Sequence, residues 1–146
     1  MYDDIAEFRG FYQTSLGRRV SSLIRRQLSV FWRGESSLST ACLGYGFPFF
    51  DKTMSPLAFM PARRGAIVWP SVSSVRGCLI EPDFLPLPDV QLDRLLLVHA
   101  LEFEHDPGRV LDECWRVLDG AGQHMVVVPN RRGLWARAER SPFGHG

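Results

Sequence analysis

The chain has 146 residues, of which 45% are hydrophobic, so it is long enough to form one domain with a sheet covered on both faces. Its formal net charge of +1 gives no reason to expect a nucleic-acid partner, although arginines occur in pairs along it. We expect a cytoplasmic protein outside the membrane, because the three cysteines lack metal-ligand spacing, the N-terminus lacks a signal-peptide pattern and no apolar run approaches the about 20 residues that span a bilayer.

The first 34 residues are expected to form two helices, because apolar residues recur there at intervals of three and four. The apolar positions are Ile5, Phe8, Phe11 and Tyr12 in the first helix and Leu16, Val20, Leu23, Ile24 and Leu28 in the second. Ser15 is the expected N-cap of the second helix. The two helices should cover one side of a sheet built from residues 35–146, so that residues 1–146 form a single domain.

Strand-like segments alternate with helical or loop segments over the rest of the chain. The expected strands are residues 38–46, 65–69, 78–81, 95–98 and 125–128, and residues 54–60 have weak helical character. From Asp106, apolar residues predict a helix packed on the sheet through Val110, Leu111, Cys114, Trp115 and Leu118. A strand, helix and strand in this order favour parallel strands joined by a right-handed crossover. The sequence therefore predicts a three-layer α/β domain.

Residues 85–130 contain a set of motifs at a recognisable spacing. They are Leu85-Pro86-Leu87-Pro88-Asp89, Asp93, His99 at a strand end, Glu113, Arg116-Val117-Leu118, and the glycines Gly120 and Gly122. This set resembles the core of class I S-adenosylmethionine-dependent methyltransferases, in the small-molecule group that includes quinone-biosynthesis enzymes. The resemblance implies a Rossmann-like fold with parallel strands in the order 3-2-1-4-5, S-adenosylmethionine as cofactor and a small molecule as methyl acceptor.

The resemblance also implies where the cofactor would lie. In the family, a glycine turn after the first strand lies against the methionine part, where a β-carbon would collide with the cofactor. An acidic residue after the third strand accepts the adenine amino group, and the end of the fourth strand borders the same crevice. The matching residues of this chain are Gly44, Tyr45 and Gly46 in the turn, Glu81, Asp83 and Phe84 after the third strand, and His99.

Two carboxylates that the family usually has are missing from this sequence. Cys42 stands where an acidic residue precedes the glycine turn, and no carboxylate lies near Trp69, at the tip of the predicted second strand. A methyltransferase-like protein that has lost catalysis and acts as a binding or regulatory module is therefore the alternative to an enzyme. A nicotinamide-dinucleotide domain is a weaker alternative, because Phe49 stands where the third glycine of its motif is needed.

Four polar residues follow the fourth predicted strand: His99, Glu102, Glu104 and His105. We do not expect a metal site, because they occupy one turn and no second group of ligands occurs elsewhere in the sequence. His99 could serve as a general base, or it could be a hydrogen-bonded structural residue at a strand end. The sequence leaves both roles open.

The end of the chain departs from the resembled fold. That fold continues after its fifth strand with a helix and a β-hairpin, whereas here only a short helix and a loop follow Asn130. We therefore expect the hairpin to be missing and the fifth strand to leave an open edge along residues 125–128. We expect the chain to be a truncated version of a longer protein, or its edge to be covered by a partner or a second copy.

Overall fold

The computed structural model describes residues 5–33, 37–50, 54–65, 70–71 and 74–130. Within them, the helices are α1 (Ile5–Gln13), α2 (Ser15–Phe31) and α3 (Pro107–Val117). The strands of the main sheet are β1 (Thr40–Gly44), β2 (Leu57–Pro61), β3 (Gly77–Ile80), β4 (Leu92–Val98) and β5 (Leu118–Val127). Single 3-10 turns follow β1 and β2, and Pro70–Ser71 pairs with Ser74–Val75 in a separate antiparallel bridge. None of the described helices is long and apolar enough to cross a bilayer.

The five strands are parallel and lie in the order 3-2-1-4-5. The predicted α/β fold and strand order are therefore confirmed. The chain moves outward from β1 to β3 and then returns to place β4 on the other side of β1, with Cys42 opposite Leu96. In an open parallel sheet, the crevice above the carboxyl ends of the strands at such a reversal is the usual ligand site.

Both faces of β4 are buried, as its continuous apolar sequence predicts. Leu95 and Leu97 belong to a core that includes α3, whereas Leu96 and Val98 belong to a core that includes α1 and α2. Neighbouring strand residues point to opposite faces of a sheet, so one apolar run serves both cores. This arrangement gives the three layers.

A tight junction joins α1 to α2. Thr14, not Ser15, is the N-cap of α2, and its hydroxyl accepts a hydrogen bond from the Gly17 N–H (3.0 Å) while it donates one to the Phe11 carbonyl (2.7 Å). A β-carbon at Gly17 would overlap the Phe11 carbonyl. The small residue therefore lets the two helices approach closely.

Three predicted core positions on the helices are wrong: Leu23, Trp115 and Leu111, the last of which is 36% exposed. Leu23 is 63% exposed, because α2 buries its Gly17, Ser21 and Leu28 side. Trp115 is 76% exposed, because the buried stripe of α3 runs through Val110, Cys114 and Val117. The buried face of each helix is offset by less than one residue step, roughly 70°, from the face that the apolar pattern favoured.

The second strand lies earlier in the sequence than predicted. Leu57–Pro61 forms β2 and pairs with β1 and β3, so the weak helix expected over residues 54–60 is wrong. Pro56 interrupts a helix at this point, and a short apolar run between prolines does not distinguish a buried strand from a helix by periodicity. Most of the segment expected as the second strand, residues 66–69, lies outside the described residues.

The fifth strand begins directly after α3. β5 starts at Leu118, and its pairing with β4 shifts register between Leu92 and Arg94 before running regularly to Val98. Among the described residues, β4 is the strand that pairs with β5. The predicted short C-terminal helix, and the hairpin that we expected to be missing, concern residues after Asn130, which lie outside the described residues.

Candidate active site

The strands β1 and β4 both end at the point where the strand order reverses, and each is followed by a change in backbone direction. Gly44 ends β1 with φ +89° and His99 follows β4 with φ +51°. The Tyr45 N–H donates to the Val98 carbonyl (3.0 Å), and the His99 N–H donates to the Val127 carbonyl (3.1 Å). A left-handed backbone at a residue other than glycine costs of the order of 1–3 kcal/mol and is concentrated at functional sites. His99 is thus held in a conformation that its own preference does not favour.

The glycine turn is required by the protein itself. A β-carbon at Gly44 would overlap the Val98 carbonyl oxygen, and one at Gly46 would overlap the Cys42 sulfur. In the resembled family, glycines in this turn are needed because the cofactor lies against the backbone. In this structure, close packing of β1 against β4 and against its own turn is sufficient to require them.

The His99 ring lies in a buried hydrogen-bonded chain. Its Nε2 is 2.8 Å from the Tyr12 hydroxyl on α1, and its Nδ1 is 2.7 Å from Glu102 Oε1. The Phe8 ring stacks on it with centroids 4.7 Å apart and planes 1° from parallel. The other carboxylate oxygen of Glu102 is buried and has no hydrogen-bond partner among the described residues. An α1 residue, a strand end and the following turn therefore meet at one imidazole.

The two tyrosines of this cluster keep their protons. Burial, and next the Glu102 carboxylate, raise the pKa of Tyr12 well above its usual range. Burial also raises the pKa of Tyr45 to about 12. Their rings stack with centroids 5.6 Å apart. At neutral pH the Tyr12 hydroxyl therefore still carries a proton that it can donate in a hydrogen bond.

A buried arginine occupies the end of β2. Arg64 donates through Nη1 to the His99 carbonyl, and its Nη2 lies 3.4 Å from Glu104 Oε1. Its guanidinium carbon is 4.5 Å from the centroid of the Phe103 ring. The family usually places a carboxylate at the end of the second strand, so this chain has a cation near that position. Arg64 fastens the segment after β4 to the end of β2.

The end of β3 forms a separate polar group. The Phe84 N–H donates to the Glu81 carbonyl (2.9 Å), which closes a turn with Pro82 at its second position. Asp83 lies 3.2 Å from the Arg109 guanidinium in an exposed ion pair, and Phe84 is 72% exposed. Because β2 separates β3 from β1, this turn lies about 10 Å from the glycine turn across the sheet.

The motifs that carry the family resemblance hold a loop in place. Glu113 on α3 accepts a hydrogen bond from the Leu85 N–H (2.7 Å), and Arg116 donates to the carbonyls of Leu85 (3.1 Å) and Leu87 (2.9 Å). Arg116 also pairs with Asp89 (2.6 Å) and with Glu113 (2.6 Å). Backbone groups of the proline-rich loop are thus satisfied by α3, which fixes the route from β3 into β4.

The N-terminal helix closes the crevice. A cavity of about 10 Å³ remains at the ends of β1 and β4, roughly the space of one water molecule. It is lined by Ile5, Phe8, Gly44, Tyr45, Pro61, Arg64 and His99. Ligand sites for small molecules typically measure about 300–1,000 Å³, so a cofactor can enter only if α1 moves away.

The structure brings some of the predicted site residues together and leaves others apart. Gly44, Tyr45 and His99 line one cavity, and Gly46 follows in the same turn. The residues Glu81, Asp83 and Phe84 do not line it. Sequence reasoning missed three residues that contact His99, namely Phe8, Tyr12 and Arg64. It placed Glu102 in the polar turn after β4 but did not predict its hydrogen bond to His99.

Comparisons with known proteins agree with this architecture. Residues 63–126 match a family described as a methyltransferase domain. A probable S-adenosylmethionine-dependent methyltransferase of Mycobacterium tuberculosis is 40% identical over 63 residues, which are 43% of this chain and 22% of that protein. The chain therefore spans about a fifth of the length of this relative.

Solved structures extend the likeness over most of the chain. A S-adenosylmethionine-dependent methyltransferase of Thermotoga maritima, described as a possible histamine N-methyltransferase, has a TM-score of 0.62 at 20% identity and covers 91% of this chain and 62% of that one. A methyltransferase of Aquifex aeolicus has a TM-score of 0.58 at 14% identity and covers 84% of this chain and 71% of that one. At these identities the likeness concerns the fold. The fold, the contacts that hold the proline-rich loop on α3 and the matched segment together make the chain similar to class I S-adenosylmethionine-dependent methyltransferases.

Proposed function

We propose that the chain takes part in the transfer of a methyl group from S-adenosylmethionine to a small molecule. The observation that carries the proposal is the 40% identity over 63 residues with a probable methyltransferase, because the family match covers β3, β4, α3 and most of β5. Polar groups gather at the carboxyl ends of these strands, which is where this type of sheet binds ligands.

Two features of the strand ends support such a cofactor, one in length and one in charge. When bound, S-adenosylmethionine supplies a methyl group on a positively charged sulfur atom, which a nucleophile can take. The Gly44–Gly46 turn and the turn at Glu81 lie about 10 Å apart, which suits an elongated ligand that spans three strands. Glu102 adds a buried carboxylate with an oxygen that lacks a partner among the described residues, and such a group favours a cationic ligand.

The crevice must open before it can bind. Phe8 and Ile5 line the small cavity, and the Tyr12 hydroxyl is bonded to His99, so α1 lies where the methionine end of the cofactor would be held. The proposal therefore includes a movement of α1 away from the ends of β1 and β4. Its tight junction with α2 at Gly17 makes a joint movement of the two helices the simplest one.

A catalytically inactive binding or regulatory module is the second candidate. It is favoured by the closed crevice and by Arg64, a cation near the position where the family usually has a carboxylate for the ribose hydroxyls. Loss of a charge-assisted hydrogen bond of that kind lowers affinity by about 1.5–3 kcal/mol. The two candidates differ in turnover, since both are compatible with a bound cofactor.

Calorimetric titration of the purified chain with S-adenosylmethionine and S-adenosylhomocysteine tests the proposal. We expect saturable binding of both in the micromolar to sub-millimolar range, and weaker binding in Glu81→Ala. Asp112→Asn is the matched control, because this exposed carboxylate lies on α3 and should not affect binding. Absence of heat from both ligands, in a sample with a cooperative unfolding transition, would contradict the proposal. Binding without methyl transfer to any acceptor would favour the regulatory candidate.

A further inference from the structure

The helix α2 carries an exposed surface that the proposed function does not use. Two neighbouring rows, which we call the outer face of α2, run along the helix: Arg18, Ser22, Arg25 and Ser29 in the first, and Arg19, Leu23, Arg26 and Val30 in the second. All of these residues are exposed. We propose that the outer face of α2 docks on the surface of an anionic lipid bilayer. The inference goes beyond the proposed function and does not depend on it.

The positive charge of the chain is concentrated on this face. The helix has four arginines and no acidic residue over Ser15–Phe31. Within the described part of the chain, none of these arginines forms an ion pair. The net charge of the whole chain is only +1, so the compensating acidic residues lie elsewhere in the sequence. The low net charge therefore conceals a local cationic surface, which attracts a polyanion.

A shallow concavity on the outer face suits a phosphate group. It has a volume of about 660 Å³, opens to solvent and is lined by Ser15, Arg18, Arg19, Ser22, Leu23 and Arg26. Guanidinium groups donate paired hydrogen bonds to phosphate oxygens, and serine hydroxyls donate single ones. A lipid phosphate in this concavity would therefore meet both positive charge and hydrogen-bond donors.

The apolar side chains favour a bilayer over other polyanions. Leu23 is 63% exposed and Val30 is 47% exposed, and Phe31 at the end of the helix is 62% exposed. A nucleic-acid backbone offers phosphates in rows, but these side chains gain nothing from contact with it. A bilayer surface offers phosphates beside acyl chains, and a helix with arginines next to leucine and phenylalanine lies in that boundary. The arginine side chains reach the headgroups while the apolar ones enter the acyl region.

The rest of the fold leaves the outer face free to dock. The opposite side of α2, with Gly17, Ser21 and Leu28, is buried against the domain. With 17 residues and four arginines, the helix lies on a bilayer and does not cross it. Docking therefore requires no rearrangement of the core.

Sedimentation of the chain with lipid vesicles tests the proposal. Vesicles of equal parts phosphatidylglycerol and phosphatidylcholine are compared with vesicles of phosphatidylcholine alone. We expect the chain to bind the anionic vesicles and to stay in solution with the neutral ones. The binding should weaken as salt is added, because added ions screen exposed charges. Binding of equal strength to both kinds of vesicle, or to neither, would overturn the proposal.

Substitutions on the outer face separate the contributions of charge and apolar contact. Each of Arg19→Gln and Arg26→Gln should weaken binding to the anionic vesicles about 5-fold, and the two together about 25-fold. Leu23→Gln should weaken it about 10-fold, by a factor that does not depend on salt. Arg109→Gln is the matched control and should bind as the unmodified chain does, because this arginine is 68% exposed on α3, which packs on the other face of the sheet.

All of these side chains are exposed, so each variant should keep the circular dichroism spectrum of the unmodified chain. Unchanged binding in the three α2 variants, or an equal loss in Arg109→Gln, would contradict docking through α2.

Two other partners are distinguished with the same samples. A short RNA duplex that binds more tightly than the anionic vesicles at the same salt, and equally well in Leu23→Gln, would assign the outer face to nucleic acid. Self-association that Arg26→Gln abolishes, measured by light scattering without lipid, would assign it to a second copy of the chain. Either result would overturn the proposal.

Discussion

Substitution of Gly44 by alanine tests whether the glycine turn serves the sheet or the ligand. The residue has φ +89°, and a β-carbon there would overlap the Val98 carbonyl oxygen and lie 3.1 Å from the carbonyl carbon. The left-handed backbone costs alanine about 1–2 kcal/mol. Overpacking against a backbone atom that cannot turn aside adds about 1–3 kcal/mol. We therefore expect Gly44→Ala to lower the free energy of unfolding by about 2–5 kcal/mol.

Thermal unfolding followed by circular dichroism measures this loss. A domain of this size loses about 3 °C in Tm for each kcal/mol, so the expected decrease is about 6–15 °C. Gly65→Ala is the matched control, because Gly65 also has a positive φ (+77°) but a β-carbon there would meet nothing within 4 Å. It should lose only the conformational part, about 1–2 kcal/mol. The difference between the two variants measures the overlap with Val98.

A different outcome would assign the glycine to ligand binding. If Gly44→Ala unfolds at the same temperature as the unmodified chain but no longer binds S-adenosylhomocysteine, the glycine serves the ligand. The explanation from packing of β1 on β4 would then be refuted. A loss of stability larger in Gly44→Ala than in Gly65→Ala, measured without ligand, supports it.

Three further predictions follow from the described residues. Gly10→Ala should raise the Tm by about 3 °C, because the position lies within α1 with open space around it, and a melting curve no higher than that of the unmodified chain would contradict this. The hydrogen bond from Arg116 lowers the pKa of Glu113 below 4.5, so the stability it contributes is complete above that pH and is lost as pH falls through the lower folded value. In urea unfolding, Glu113→Gln should therefore cost about 1–2 kcal/mol near about pH 7 and progressively less as the pH falls below 4.5, whereas a cost that does not fall with pH would be inconsistent with it. At about pH 8, a thiol reagent should modify the exposed Cys78 in the folded chain and should modify Cys42 only after the chain unfolds, because Cys42 is buried and burial raises its pKa to about 12. Modification of both thiols in the folded chain would argue against the packing of β1.

The unit β4–α3–β5 could be predicted from local sequence, because its apolar patterns and its helix-ending residues all indicate the same strand, helix and strand. The run Leu95–Val98 is too short for a helix and lies between charged residues, and the apolar stripe of α3 ends at a glycine-containing segment. Each local preference points to the same strand, helix and strand. The exposed Trp115 shows what the local sequence did not determine, namely which face of α3 is buried. Adjacent stripes of one helix can both be apolar, and only the packing of the helix decides between them.

The closure of the site could not be predicted, because it depends on contacts between distant parts of the chain. Tyr12 and His99 are 87 positions apart, and Arg64 and His99 are 35 apart. Nothing in an amphipathic N-terminal helix indicates which strand ends it will cover. The position of β2 was missed for a different reason, since a short apolar segment between prolines is compatible with a strand or a helical turn.

The central claim is that S-adenosylmethionine-type ligands bind at the carboxyl ends of β1, β3 and β4 after α1 moves. Titration of the nitrogen-15-labelled chain with S-adenosylhomocysteine, followed through backbone amide signals, tests it most directly. We predict saturable changes at Gly44–Gly46, at Glu81–Phe84, at His99 and along α1. Changes confined to the exposed faces of α2 and α3, or none at saturating ligand, would contradict the account.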